Sequence, residues 1–445
     1  MGVILMMTSF YNILLPTDGS KYFLFNALQR SLMIVDQDIK DLLESKALEE
    51  IPIEIAKKFK DNGILIEDDH NEQEVYHYYY ESRKYINQEA SFHIITTYAC
   101  NFSCEYCFEG KGIIASQHMD LKTAENVMRF IKDTTMRNNC RALNIQLYGG
   151  ETLINFDIGY KILENLSQWA REIHIPFSAH AITNGSLITE DIANKLSAFH
   201  GSVLVTLDGP REIHDRRRFY KDGRGTFDDI IKGLIIAKRH GLEITIRVNV
   251  NKENYLHIPS LLNTLKLNDL NKAIISIKPV FDASPACISC PSRDRDGESD
   301  KENIAICDNL YNTAREEGFN TDDATGLPNL NVCGALHSQR FIVDPLGRLF
   351  KCAILPPHES FSVGAIDESG MPKCNSLFYK IMSRNPLTID DCGSCKLTPI
   401  CGSGCLAMSL YKYGEPNKKV CEKNYMMERL KNCCEFETSK RLSTR

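Results

Sequence analysis

The chain has 445 residues, with 52 Lys+Arg against 58 Asp+Glu and a formal charge of −6. At roughly 100–200 residues per domain, that length gives several domains and a substantial core. A hydrophobic content of 43% beside 25% charged residues excludes a disordered or collagen-like chain, and the mildly acidic balance gives no footprint for nucleic acid.

No apolar run reaches the ~18 residues that a membrane helix needs. The opening residues 1–7 carry no basic region and no small-residue cleavage site, and they run into an alternating strand pattern. The chain therefore reads as cytoplasmic, without a signal peptide. Residues 1–88 form one module: strands over 10–16, 22–28 and 32–35, helices over 36–46 and 53–61, and a short strand over 64–67. That order suits a winged-helix-like domain, with the charged and aromatic stretch 68–84 as a linker. From about 90 to 280, strands at 92–97, 143–148, 177–183, 203–207, 243–250 and 273–280 alternate with helices at 121–137, 157–172, 189–200, 227–240 and 257–267. Such alternation means βαβ units on a parallel sheet, and six units rather than eight mean a partial barrel or open sheet. Active residues then belong in the loops after the strands' C-terminal ends. A breaker-rich surface loop is expected over 291–300, a helix over 301–318, and a hairpin over 341–352 around Pro345-Leu346-Gly347.

Seventeen cysteines set the chain apart, and ten of them fall in two clusters. In a chain without an export signal, clustered thiols point to metal more than to disulfides. The first cluster follows the strand over 92–97 and reads Cys100-Asn101-Phe102-Ser103-Cys104-Glu105-Tyr106-Cys107-Phe108, a C-x3-C-x2-C spacing. Structural zinc wants four ligands in a closed tetrahedron, and no fourth Cys or His follows closely. Three thiolates on a 4Fe-4S cube leave one iron open, as catalysis requires. Tyr106 and Phe108 either shield such a cluster from water or pack as ordinary core.

These residues resemble the radical S-adenosylmethionine (SAM) superfamily, in which the three-Cys loop follows the first strand of a six-unit β/α region. The resemblance implies that Cys100, Cys104 and Cys107 hold a 4Fe-4S cluster whose open iron binds SAM. It implies reductive cleavage of SAM to a 5′-deoxyadenosyl radical that abstracts a hydrogen atom. A SAM-binding set at the strand ends follows from the same resemblance. Gly149, Gly150 and Glu151 match the family's SAM-amino motif, the carboxylate facing an ammonium group. Thr183 and Asn184, and Asp208 with the following Gly209, match patterns lining the cavity, although Asn-Gly and Asp-Gly are also favoured turns. Arg247 interrupts an apolar strand, and either the SAM carboxylate or a protein carboxylate is its partner. The run Arg216-Arg217-Arg218 reads as a solvated loop.

The second cluster, Cys333, Cys352, Cys392, Cys395, Cys401, Cys405 and Cys421, resembles the SPASM domain, which carries two auxiliary 4Fe-4S clusters in peptide- and protein-modifying members of the superfamily. By that resemblance Cys333, Cys352 and Cys405 hold the first auxiliary cluster, and Cys392, Cys395, Cys401 and Cys421 hold the second. The alternative is a zinc site on Cys392, Cys395, Cys401 and Cys405. Sulfatase maturases have one more Cys shortly before the position of Cys333, which this chain lacks. The first auxiliary cluster then has an open iron or borrows Cys287, Cys290, Cys307 or Cys374. Where those maturases place an Asp after Cys352, as proposed acid/base, this chain has Ala353, so no general base is assigned.

The expected architecture is thus α/β: a winged-helix-like peptide-recognition domain over 1–88, a partial (β/α)6 TIM-like barrel over 89–310, and a SPASM iron–sulfur domain over 311–445. The expected function is a radical SAM oxidoreductase that matures a ribosomally made (RiPP) precursor peptide, with the leader bound by the N-terminal domain. A Cys thioether of the ranthipeptide or sactipeptide kind is the leading product. Three 4Fe-4S clusters, SAM and a low-potential donor such as flavodoxin or ferredoxin would serve it, with no nucleic-acid or membrane partner. A sulfatase-type maturase, a carbon–carbon crosslinking or epimerising maturase, and a zinc-stabilised peptide-binding scaffold remain as alternatives. Precursor identity, bond type and oligomeric state are not legible.

Overall fold

In the computed structural model, residues 6–67, 71–86, 88–107, 116–280, 297–322, 327–355 and 358–443 are described. Contacts divide the chain into two compact units, one of Met1–Tyr85, Ala324–Cys333 and Ser383–Arg445, the other of Ile86–Asp323 and Gly334–Met382.

In the first unit, Asn12–Pro16, Tyr22–Asn26 and Ser31–Val35 form an antiparallel meander, and Met6–Thr8 pairs antiparallel with Leu65–Glu67. Helix Gln37–Ser45 starts where Asp36 accepts the Ile39 N–H at 3.0 Å and stops at Lys46, in the left-handed region at φ 61°. Its buried Ile39 and Leu43 join Leu24, Val35, Ile51, Phe59, Ile64 and Leu65 in one core. Asn26 pins the module. Its amide donates to Ser9 Oγ, Asn12 Oδ1 and the Gly63 carbonyl, and its Oδ1 accepts from the N–H groups of Leu28 and Gln29.

The stretch read as a linker is instead a helix, Glu72–Lys84, capped by Asn71. Its buried row is Glu72, Tyr76, Tyr80 and Lys84, spaced by four, so the inward face is polar in composition and escapes a hydrophobic pattern. Within the same unit Tyr76 donates to the Thr398 carbonyl at 3.4 Å, and Lys84 to the Arg384 carbonyl at 2.7 Å.

The second unit is built on parallel strands Ala90–Thr97, Leu143–Gly149, Phe177–Thr183, Ser202–Thr206, Glu243–Val250 and Ile274–Pro279, adjacent in chain order. Helices Leu121–Arg137, Phe156–Glu172, Glu190–Ser197, Phe227–Arg239 and Ile258–Leu267 alternate with them. Both the strands and the helices fall where the sequence pattern puts them. The sheet continues beyond each end of the six. Asn320–Thr321 pairs with the last strand, and Arg340–Val343 runs parallel to the first. Arg348–Phe350, Gly364–Ile366 and Pro372–Cys374 then extend it antiparallel. The expected loop over 291–300 lies outside the described residues up to 296, and helix Gly297–Glu316 follows.

Burial alternates along the second, fourth and fifth strands, with every other residue sealed under the helices. The intervening positions share the opposite face. There, residues in register form polar rows, His93–Gln146–His180–Ser202 and Thr206–Arg247–Ser276. Among the described residues, no helix is long and apolar enough to cross a membrane.

Candidate functional site

The three-thiol loop leaves the first parallel strand beside the end of the second, and the two backbones nearly touch. A Cβ on Gly149 would lie 2.3 Å from the Thr97 carbonyl oxygen, and one on Gly150 would lie 2.5 Å and 2.6 Å from those of Tyr98 and Ala99. Gly149 also has φ 132°. The close approach these glycines permit is therefore to the chain's own cysteine loop. Gly150 N–H donates to the Thr97 carbonyl at 3.1 Å, and Glu151 N–H to that of Ala99 at 2.8 Å.

Glu151 is fully buried. Its carboxylate accepts from Thr183 Oγ1 at 2.7 Å, Asn184 N–H at 2.6 Å and Leu153 N–H at 3.0 Å. Burial raises its pKa, and the bonds from Asn184 and Thr183 oppose the rise. With three donors on it, little of its acceptor capacity is left for a ligand. It ties the ends of the second and third strands together. Asn184 in turn donates to Asn101 Oδ1 at 2.7 Å, fastening the third strand's end to the cysteine loop.

Asp208, fully buried at the fourth strand's end, accepts the Asn249 N–H at 3.0 Å and the Tyr106 hydroxyl, and pairs with Arg217 at 3.7 Å. Tyr106, between Cys104 and Cys107, also accepts from Arg218 at 2.8 Å and Asn249 Nδ2 at 3.1 Å. The guanidinium of Arg217 lies 5.2 Å from its ring centroid. The expectation of a solvated Arg run is corrected here. Residues Arg211–Arg217 are helical, and His214 and Arg217 are buried three apart on one face. Only Arg216 of the run is exposed. The carboxylates that pair with Arg217, Asp208 and Glu253, and the Asn251 amide oxygen that accepts from it, come from other segments and leave no local sequence signal.

Burial pushes the Cys100 thiol up to about 12, against the Phe102 N–H that reaches its Sγ at 3.4 Å; Glu151, Cys104 and Cys107 push it further. Burial also raises Cys104, opposed by Arg218. Cys104 is buried and Cys100 and Cys107 are half-buried, and the three lie close enough to act on one another electrostatically. Three thiols within reach of one another on one loop are a donor set that suits iron. Among the described residues no three His, Cys, Asp or Glu side chains converge as a single-ion site.

On the polar inner face Arg247 Nε and its register neighbour Ser276 Oγ are both buried without a hydrogen-bond partner. Two orphaned donors side by side fit a polar ligand, and among the described residues no carboxylate occupies Arg247 Nε.

The later cysteines divide between the units. In the first, Cys392 lies in the turn Asp390–Ser394, Cys401 ends helix Thr398–Cys401, and Cys405 precedes helix Leu406–Tyr413. Asn331 binds the Pro399 and Cys401 carbonyls at 2.8 and 2.9 Å, bringing the segment that carries Cys333 to this loop. Burial pushes Cys401 up to about 12, and Glu422, Cys392 and Cys395 raise it further. Cys421 is exposed. In the second unit, Cys352 follows strand Arg348–Phe350, and Ala353 packs on Ile95, Tyr98, Ile342 and Phe350. Cys374 ends a strand and is half-buried; Cys307 lies in a helix, where burial pushes it up to about 11. Cys287, Cys290 and Phe108 lie outside the described residues.

Residues 94–265 match the model of the Radical SAM superfamily. The chain is 24% identical to "Radical SAM cyclopropyl synthase TigE" of Paramaledivibacter caminithermalis, over 92% of this chain and 91% of that one. It is 25% identical to the "Cysteine-type anaerobic sulfatase-maturating enzyme" of Clostridium novyi, over 69% of this chain and 84% of that one. Among solved structures, "Native anSMEcpe with bound AdoMet" superposes with TM-score 0.60 at 18% identity, covering 80% of this chain and 98% of that one. Streptococcus suis SuiB bound to precursor peptide SuiA gives TM-score 0.52 at 18% identity, covering 94% and 99%. At these identities the two structures speak for the fold.

Proposed function

We propose, with the radical SAM domain of residues 94–265 as premise, that this protein is a SAM-cleaving maturase of peptide substrates. The observation that carries the reading is one hydrogen-bonded assembly at the C-terminal ends of four adjacent strands. It joins the Cys100–Cys107 loop to Gly150, Glu151, Asn184 and Asp208.

Cys100, Cys104 and Cys107 would hold a 4Fe-4S cluster, which supplies single electrons to the sulfonium of SAM so that a 5′-deoxyadenosyl radical forms. The chain's own part is positioning. Gly149 and Gly150 let the second strand press on the loop, and Glu151 sets the spacing of the strand ends. Asp208 and Arg218 hold the Tyr106 ring against the thiols, where it excludes water. Arg247 and Ser276 present their unpartnered donors to the carboxylate of SAM. The ligand sets Cys333, Cys352 and Cys405, and Cys392, Cys395, Cys401 and Cys421, belong to two auxiliary clusters in this reading. The module ending near Tyr85 takes the leader as an added strand. Placement in the cytoplasm and a flavodoxin or ferredoxin donor complete it.

A Cys thioether to a neighbouring residue is the product we favour, because a three-thiolate auxiliary set leaves a coordination position suited to a substrate thiolate. A carbon–carbon bond is the second reading, favoured by the likeness to a cyclopropyl synthase along 92% of the chain. Anaerobically reconstituted protein should release 5′-deoxyadenosine under strong reductant, and the Cys100, Cys104, Cys107→Ala variant should not. With a co-expressed Cys-containing precursor, each crosslink removes two hydrogens. Iodoacetamide then separates the products, since a thioether consumes a thiol and a carbon–carbon bond does not. Colourless, zinc-loaded protein that leaves SAM intact would overturn the proposal.

A further inference from the structure

Two side chains that carry positive charge are sealed inside the first unit, and one of them, Arg384, lies beside its cysteines. Lys84, wholly buried, pairs with Glu81 at 2.7 Å. Arg384, only 1% exposed, donates through Nη2 to the Ser403 carbonyl at 3.0 Å, and its Nη1 is buried with no partner among the described residues. Ser403 stands midway between Cys401 and Cys405. Gly402, Ser403 and Gly404 all take left-handed backbone, at φ 65°, 66° and 79°. A Cβ on Gly404 would meet the Val420 carbonyl oxygen at 1.9 Å. The loop is therefore wound tightly, with its middle carbonyl turned onto the guanidinium.

Burial acts most on the Arg384 charge, followed by Tyr80, Cys333, Cys392 and Cys405, and Lys84 is close enough to feel its repulsion. None of them is a carboxylate. A guanidinium does not deprotonate in proteins, and a buried one without an anion is costly. Neutral thiols do not meet the need, whereas thiolates that ligate a metal centre do. A 4Fe-4S centre on four thiolates is an anion, and one-electron reduction makes it more negative.

We propose that Arg384 is the buried counter-charge of an auxiliary iron–sulfur cluster on the C-terminal cysteines and raises that cluster's reduction potential. This rests on the assignment of those cysteines as cluster ligands.

The test uses the full chain carrying Cys100, Cys104, Cys107→Ala, so that only C-terminally bound iron is seen. Redox titration followed by electron paramagnetic resonance compares this parent with Arg384→Met and Arg384→Lys. Arg384→Met should shift the reduction equilibrium at least tenfold toward the oxidised state, about 59 mV more negative for one electron, and Arg384→Lys should restore most of it. Thermal unfolding separates charge from architecture. In iron-free protein Arg384→Met should unfold no earlier than the parent, because it removes an unpaired buried charge, whereas in loaded protein it should unfold earlier. Failure of Arg384→Met to retain iron, with unchanged iron-free unfolding, supports the proposal. Earlier unfolding of the iron-free variant overturns it, as does an unchanged potential in loaded protein, and either leaves the ligand assignment standing. A parent without bound iron overturns that assignment and the proposal together.

Discussion

Replacing Gly150 with alanine would drive a methyl carbon into the backbone that leads to Cys100. The added carbon would stand 2.5 Å from the Tyr98 oxygen, 2.6 Å from the Ala99 oxygen and 2.9 Å from the Ala99 carbonyl carbon. All three are main-chain atoms, so no flexible side chain can swing aside. Overpacking of that kind costs about 1–3 kcal/mol. Parting the strands also weakens the Gly150 N–H bond to Thr97 and the Glu151 N–H bond to Ala99, each worth roughly 1 kcal/mol. The expected loss is about 3 kcal/mol in urea unfolding of iron-free protein. Bound iron should fall too, since the displaced residue Ala99 adjoins Cys100. Gly241→Ala is the control. Its φ is 72° and nothing lies within 4 Å of the added carbon, so it should lose only about 1–2 kcal/mol, from backbone strain, and keep its iron. A Gly150→Ala protein within 1 kcal/mol of the parent and fully loaded would refute the claim that strand contact fixes the cysteine loop.

Tyr106→Phe keeps the ring but removes the hydroxyl shared by Asp208, Arg218 and Asn249. A loss of about 2 kcal/mol is expected, read as a lower urea midpoint at unchanged slope. His93 is held at about 4, below its usual 6.5, by burial first and then by Arg340 and His180. The unfolded chain takes up that proton before the folded one does. Stability from this residue is therefore complete above pH 6.5 and is lost as pH falls toward 4. The parent should lose about 2 kcal/mol more than His93→Gln between pH 7 and pH 5, and parallel pH profiles would contradict this. Asn26→Ala breaks five hydrogen bonds inside the N-terminal module. It should destabilise that module by about 3 kcal/mol, seen as early proteolytic cleavage ahead of Tyr85.

The parallel sheet was legible because its strands and helices obey the periods on which pattern reading rests. Strand Glu243–Val250 hides every second residue, and helix Leu121–Arg137 buries Ala124, Val127, Met128 and Ile131. Helix Glu72–Lys84 escaped because it turns Glu, Tyr and Lys inward. The burial of Arg217 was equally hidden, since its partners are brought in by other segments. The three-thiol loop and Gly149-Gly150-Glu151 could be picked out by residue type. What the sequence did not carry was the division of labour: Glu151 is spent on Thr183, Asn184 and Leu153, whereas Arg247 and Ser276 keep donors unclaimed.

The first unit is assembled from both ends of the chain, with residues up to Tyr85 packed on those from Ser383 onward. During translation the opening module emerges long before Thr398, the residue whose carbonyl receives the Tyr76 hydroxyl. Its tyrosine and lysine face must wait on the ribosome without its closing half, a state in which nascent chains recruit chaperones. Loss of the segment from Ser383 onward would therefore cripple the opening module as surely as a lesion within it.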